Sequence, residues 1–240
     1  MKTVGKFFTL LCFCAILYIG KWLAAVFLCI TVKGDAEMII TIGRQFCSGG
    51  SEIGRKLSER LGIPYYDKNL YEYAAKSSGL SENYVRNVEE TPTSSFLYSM
   101  AMYPYTDFGA EGMIPNGIVI TADQSNYILE KAKEGPCIFI GRCADDVLKN
   151  RNDVLNVFIY ASMEKRVERA MERYHVSEKE AMKSINQTDK CRASYYNMNC
   201  SKKKWGMKES YHLLLDSGTL GIDGVVDVIE RAYRSMEEKK

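Results

Sequence analysis

The sequence predicts an α/β fold, a parallel sheet covered by helices on both faces. Two observations carry that prediction. Short apolar, β-branched runs stop abruptly at glycine or polar residues, and between them lie stretches whose apolar residues recur every three or four positions. The two patterns alternate along the chain, which means strand–helix–strand units rather than hairpins.

Met38 to Ile42 (MIITI) is the first such run, reads as a strand buried on both faces, and stops at Gly43. The loop GRQFCSGGS follows, and then SEIGRKLSERLG, in which Ile53, Leu57 and Leu61 share one helical face and Gly62 closes the helix. Ile63 to Asp67 is a short extended piece. Helical stretches are expected over Lys68–Ser78 and, with Ser81 as cap, up to Glu90. Residues 91–117, rich in Pro, Gly, Ser, Tyr and Met and without period, read as a mobile or substrate-covering element. Helical spacing resumes from Ile118 to Lys133. Cys137–Ile140 and Val154–Tyr160 are the next strands, the second leading into an arginine-rich helix from Ser162 to Tyr174. A helix over Ser177–Asn186 precedes a polar, basic segment from Lys190 to Met207. Tyr211–Leu215 is the last strand, Asp216 to Gly218 a turn, and Ile222–Ser235 the final helix.

The 240 residues include 26% charged and 46% hydrophobic side chains, which excludes a wholly disordered, collagen-like or coiled-coil chain. The formal charge of +2 resides in residues 1–37. The body from Met38 is balanced, so nucleic-acid binding is not expected. Eight cysteines are scattered without a C-x-x-C pair, beside only two histidines, His175 and His212, which are read as structural. The thiols are expected to be reduced and the compartment cytoplasmic. The chain therefore divides into an apolar tract, 1–37, and a domain, 38–240.

Residues 7–32 of that tract contain a single charge, Lys21. A lysine in mid-membrane costs about 3 kcal/mol. Three readings stay open: a membrane anchor, an extension read from an upstream start with the working protein beginning at Met38, or an uncleaved signal-like segment. Membrane contact is expected only through residues 7–32.

In open α/β sheets ligands bind at the carboxyl ends of the strands. After the first strand, Ser48-Gly49-Gly50-Ser51 runs straight into a helix, so backbone N–H groups and the positive helix end meet at one spot. That arrangement suits a phosphate, with the Ser51 hydroxyl available to Mg²⁺; an ordinary tight turn is the alternative. The strict phosphate-loop pattern fails. Five residues rather than four separate Gly43 from Gly49, and Gly50 stands at the lysine position. Arg44, Arg55 and Lys56 are the candidates to replace the missing charge. Arg166, Arg169 and Arg173 share one helical face and could converge on a phosphate, or form a solvated salt-bridged face with Glu164, Glu168 and Glu172. Asp67 is either a ligand contact or a helix cap. Asp145 and Asp146 are expected as surface caps, with a contact to ribose or metal as the alternative, and Lys202 to Lys204 as an exposed loop, with a lid element or a nucleic-acid patch as the alternatives.

The blocks TIGRQFCSGGSEIGRKLSERLGIPYYDKNL, IFIGRCADDVL, VFIYASMEKRVERAMER, TDKCRASYY and YHLLLDSGTLGIDGVVDVI together resemble the cytidylate kinase-like family, relatives of the bacterial cytidylate kinases. The resemblance covers nearly all of 38–240, in order. It implies a three-layer P-loop kinase fold with a parallel sheet, a helical monophosphate-binding insertion and a basic lid. ATP and Mg²⁺ would be the donor pair, a small-molecule nucleotide such as CMP or dCMP the acceptor. A nucleotide-binding module with weak or no catalysis, or a kinase for another small acceptor, is the alternative. Carried over by position, Ser48 to Ser51 match the phosphate loop, Asp67 the start of the acceptor-binding insertion, Arg142 the arginine holding the acceptor phosphate, and Arg192 with Lys190 the lid cations. The chain departs from the plain cytidylate kinases at Gly50, where they carry lysine, and at Cys143, where they carry aspartate. The oligomeric state is left open.

Overall fold

The computed structural model describes residues 38–67, 72, 73, 76, 116–200 and 203–239. The chain divides into two units, Met1–Ala36 and Glu37–Lys240. The expectations for residues 1–37, for most of Lys68–Ser78, for Ser81–Glu90 and for 91–115 lie outside the described residues.

The first strand, β1 (Ile39–Arg44), leads through the loop 45–49 into α1 (Gly50–Leu61). Then come β2 (Tyr65–Tyr66), α2 (Asn116–Glu134), β3 (Ile138–Ile140), a single turn α3 (Ala144–Val147), β4 (Val154–Tyr160) and α4 (Met163–Tyr174). The long α5 (Glu178–Asn199), β5 (Leu213–Asp216) and α6 (Ser217–Glu237) complete the order. The five strands pair in the order β2-β3-β1-β4-β5, and every neighbouring pair is parallel. The sheet is therefore parallel, as predicted, with its last strand starting at Leu213 rather than Tyr211.

Side chains of β1 alternate between two cores, as the pleat dictates. Ile40 and Ile42 meet Ile53 and Leu57 of α1 and Val226 and Ile229 of α6, with Ile138, Val157 and Ile159 beside them. Ile39 faces the other way, with Phe139, Val154 and the α2 residues Tyr127 and Ile128. Burial on both faces is why these strands read as unbroken apolar runs. The one buried polar side chain within β1, Thr41, is satisfied by Asn156 Oδ1 of β4 at 2.7 Å.

Helix ends follow the local chemistry. Gly62 closes α1 in the left-handed conformation (φ 67°) and donates to Ser58 O. Ser162 caps α4, and His175 ends it at φ 55°. His212 accepts the Asn156 N–H on Nδ1.

Two elements differ from expectation. The helix from Ser177 does not stop near Asn186. It opens with a reciprocal Ser177–Glu180 capping box and runs to Asn199, because Ala181, Ile185, Cys191 and Tyr196 all find burial along its length. The polar residues around 190 mask that face in sequence. Asp216 to Gly218 is no free turn either. The Asp216 carboxylate caps the amides of Gly218 and Thr219, starting one helical turn at Ser217 that breaks at Gly221 (φ 70°) before the predicted helix continues from Ile222.

Candidate active site

The loop after β1 crosses from the sheet to the N-terminus of α1, and its conformation is fixed from below. Ser48 is buried, and its hydroxyl donates to Gln45 O and Ile159 O at 2.9 and 3.1 Å. The Ser217 hydroxyl donates to Ser48 O at 2.7 Å and to Tyr160 O at 3.1 Å, tying the loop to the ends of β4 and β5. Gln45 Oε1 accepts from Ala161 N at 3.2 Å. Gly49 is the cap of α1, in the left-handed region (φ 82°). It offers no side-chain acceptor to the first turn, so the opening amides of α1 have no intrahelical or capping partner. A Cβ on Gly49 would run into Ile222 Cδ1 and approach Arg169. Only glycine keeps that spot open.

Cations crowd the mouth. One cleft is walled by Gly49, Gly50 and Ser51 and by Arg44, Arg169, Arg173 and Arg192. A second lies at the ends of β1 and β3, where Arg44 and Arg192 recur together with Arg142, Cys143, Asp145 and Tyr195. The two clefts share Arg44 and Arg192. The Arg192 guanidinium donates to Arg44 O at 3.3 Å and lies over the Phe46 ring. Cys47, in the loop at φ 59°, registers the field. Burial pushes its thiol up, against the pull of Arg169, Arg173 and Arg192 toward the thiolate.

Asp67 sits where β2 ends. Its Oδ2 accepts from the Ser51 hydroxyl and from the Tyr65 hydroxyl, each at 2.9 Å, and Arg44 Nη2 stands 3.8 Å from Oδ1. Burial and the adjacent carboxylate push the Tyr65 phenol up, so it stays a donor. Asp67 is thus tied to the loop and to Arg44, while the helix it was alternatively expected to cap, from Lys68, lies outside the described residues.

The second cleft has an unusual floor. Gly141, Arg142 and Cys143 are all left-handed (φ 70°, 59° and 54°), a run that stores strain on two side-chain-bearing residues. The Gly141 amide on Ile42 O and the α3 turn hold it. Asp145, expected on the surface, is 6% exposed; Tyr196 donates to its carboxylate at 2.6 Å and Lys203 at 3.1 Å. Lys203 is therefore held by Asp145, whereas Lys204 is exposed as expected. Asp146 is also largely covered, 16% exposed, and accepts from the exposed Lys149. The Cys143 thiol is pushed up by its contact with Cys200 and by burial, so it stays protonated.

Two expected residues, Arg166 and Lys190, part company with the arginines they were grouped with. Arg169 and Arg173 face the loop, but Arg166 is buried and engaged by Asp189, whose other oxygen accepts the Phe46 N–H at 2.7 Å. It braces the loop from behind. The acid that pairs Arg169 is Glu52 of α1, not a neighbour on α4, so the self-contained salt-bridged face does not form. Lys190 is exposed on α5, set apart from Arg192 because residues two apart on a helix point in different directions. Sequence reasoning missed Asp189, Glu52 and Tyr65. Asp189 alone left a trace, as the single acid in a basic stretch.

Comparison with known proteins bears on this geometry. An uncharacterized protein from Eubacterium ventriosum ATCC 27560 is similar in structure at a TM-score of 0.62 and 28% identity, covering 82% of this chain and 99% of that one. A shikimate kinase from Acinetobacter baumannii in complex with shikimate gives 0.49 and 13%, over 85% and 97%. One from Bacteroides thetaiotaomicron gives 0.46 and 15%, over 82% and 98%. No curated protein matches the chain. The model of the cytidylate kinase-like family matches residues 39–219, from the first strand to the opening turn of α6. With its parallel sheet, phosphate-type loop and flanking helices, this chain has the P-loop kinase fold and belongs to the cytidylate kinase-like family.

Proposed function

We propose that the protein transfers the γ-phosphoryl group of ATP to a nucleoside monophosphate, CMP or dCMP. The single observation that carries this is the pair of adjoining clefts that share Arg44 and Arg192. One offers glycine amides at a helix mouth to a polyphosphate; the other offers Arg142 to the phosphate of an acceptor. A group passing between them never leaves the reach of the shared guanidinium groups.

Phosphoryl transfer needs positioning and charge neutralisation more than covalent help. The amides of Gly49 to Ser51 bind the donor phosphates, and Arg169 and Arg173 screen the outer face. Arg142 orients the acceptor phosphate, and a bidentate guanidinium suits that oxygen geometry. Arg192 closes over the transferring group from α5.

The donor's Mg²⁺ fits the residues present. Magnesium takes oxygen ligands, keeps several waters and needs only one or two protein groups beside the phosphates. Asp67 and the Ser51 hydroxyl, hydrogen-bonded to each other, are that set and would hold it. Bound there, the ion neutralises charge on the phosphate oxygens. Among the described residues there is no cluster of three or more acidic, His or Cys side chains that could hold a metal ion.

On this reading the partners are small nucleotides. Among the described residues no helix is long and apolar enough to cross a membrane; the tract 7–32 lies outside them. A coupled assay of the purified protein with ATP, Mg²⁺ and a panel of monophosphates tests the reading. Turnover with CMP or dCMP above the other acceptors is expected. A folded protein that binds nucleotide yet phosphorylates no acceptor would leave it a binding module.

A further inference from the structure

Arg44 ends β1 and Gly50 opens α1, six residues on. A Cβ on Gly50 would stand 2.6 Å from Arg44 Cβ and 2.8 Å from Arg44 Cγ. Those stem atoms are anchored to the strand and cannot swing aside as a side-chain tip could. The rest of the side chain runs inward, 13% exposed, to lay its guanidinium against Gly141 and 3.8 Å from Asp67. Its Nε is buried without a hydrogen-bond partner among the described residues. A buried donor left unsatisfied is costly unless something arrives to accept from it. The other two basic candidates are engaged elsewhere. Arg55 pairs with Glu59 at 2.6 Å on the surface, and Lys56 with Asp223 at 2.7 Å.

We propose that Arg44 replaces the absent phosphate-loop lysine as the catalytic cation on the donor's β- and γ-phosphates, and that position 50 is glycine because the arginine lies across it. The inference rests on the phosphoryl-donor reading of the loop. In the step it serves, an oxygen of the acceptor monophosphate forms a bond to the γ-phosphorus. The bond from that phosphorus to the β,γ-bridging oxygen breaks, and its electron pair leaves with ADP. The attacking oxygen is already ionised, so no base is required, and the guanidinium remains protonated throughout. Because it lines both clefts, Arg44 follows the phosphoryl group from one to the other.

The test is a charge swap in the full chain, with wild type, Arg44→Met, Arg44→Ala, Gly50→Lys and the double variant Arg44→Ala/Gly50→Lys. Arg44→Met keeps an unbranched stem over Gly50 without the charge and guards against a folding defect, which thermal melts report. Turnover and the affinities for ATP and AMP by calorimetry are read for each. Arg44→Met is expected to lose about 10²–10³-fold in kcat, the scale of removing one preorganised charge-stabilising donor, and to lose most of the preference for ATP over AMP. Gly50→Lys alone should be impaired, since its stem collides with Arg44. The double variant should recover at least about tenfold over Arg44→Ala, because the lysine then enters the vacated space.

Wild-type turnover and ATP preference in a folded Arg44→Met would overturn the proposal. So would a wild-type rate in Gly50→Lys, or a folded double variant no faster than Arg44→Ala. A wild type that binds ATP without turnover, and loses its preference over AMP in Arg44→Met, would sink the kinase reading and uphold the arginine's phosphate contact. A wild type that binds no nucleotide removes both.

Discussion

The guanidinium of Arg192 donates to the main-chain oxygen of Arg44, 148 positions away in sequence. The bond fastens α5 to the end of β1 at the line where the two clefts meet. Arg192→Ala removes both that fastening and a cation over the transferring group. A loss of about 10³-fold in kcat is expected, on the scale of arginine fingers, with a smaller change in the KM for ATP. Lys190→Ala, two residues earlier and turned to solvent, should cost far less. Steady-state kinetics of the two variants side by side checks the contrast.

Arg166 and Asp189 make a stability prediction rather than a kinetic one. The pair is largely withdrawn from solvent and its carboxylate also holds the Phe46 amide. Arg166→Ala leaves a carboxylate without its partner in a poorly solvated place, a change that costs about 3–5 kcal/mol. Urea denaturation should show it as a lowered midpoint at unchanged slope. Adding Asp189→Asn to Arg166→Ala should recover part of the loss, because no uncompensated charge then remains.

Gly49 and Gly62 separate backbone strain from steric collision. Both are left-handed, at φ 82° and 67°, but a Cβ on Gly62 meets nothing within 4 Å whereas one on Gly49 runs into Ile222. Gly62→Ala should cost about 1–2 kcal/mol, the backbone penalty alone. Gly49→Ala should add an overpacking cost of about 1–3 kcal/mol and weaken nucleotide binding. Thermal melts and ATP titrations of the two variants make the comparison.

His212 sets a pH dependence of stability. Its Nδ1 accepts the Asn156 N–H, so the neutral ring is the form the fold uses. Partial burial, reinforced by the Lys203 ammonium, lowers its pKa below the ordinary 6.5. Below that value the unfolded chain takes up a proton that the folded chain resists. The stabilising contribution is therefore complete above about pH 6.5 and is lost as pH falls through the depressed folded value. The melting temperature of wild type should drop more between pH 7 and pH 5 than that of His212→Gln.

By itself the sequence determined the sheet and its helices. Ile39 to Ile42, Ile138 to Ile140 and most of Val154 to Ile159 are buried on both faces and need no knowledge of their partners to read as strands. The Ser48–Ser51 loop and Gly62 were equally legible, because turns and helix ends are dictated by residues adjacent in the chain. Which charges meet was decided only by the tertiary structure. Arg166 finds Asp189 rather than a phosphate, Arg169 finds Glu52 rather than its own helix, and buried Asp145 gathers Tyr196 and Lys203 from beyond the following strand and helix. Arg44 proved the most hidden, since nothing in the order of residues says that its stem lies across Gly50 while its tip reaches Asp67 and Gly141. Local patterning reports what each segment prefers on its own. Long, flexible charged side chains take partners only after packing has fixed where their backbones stand.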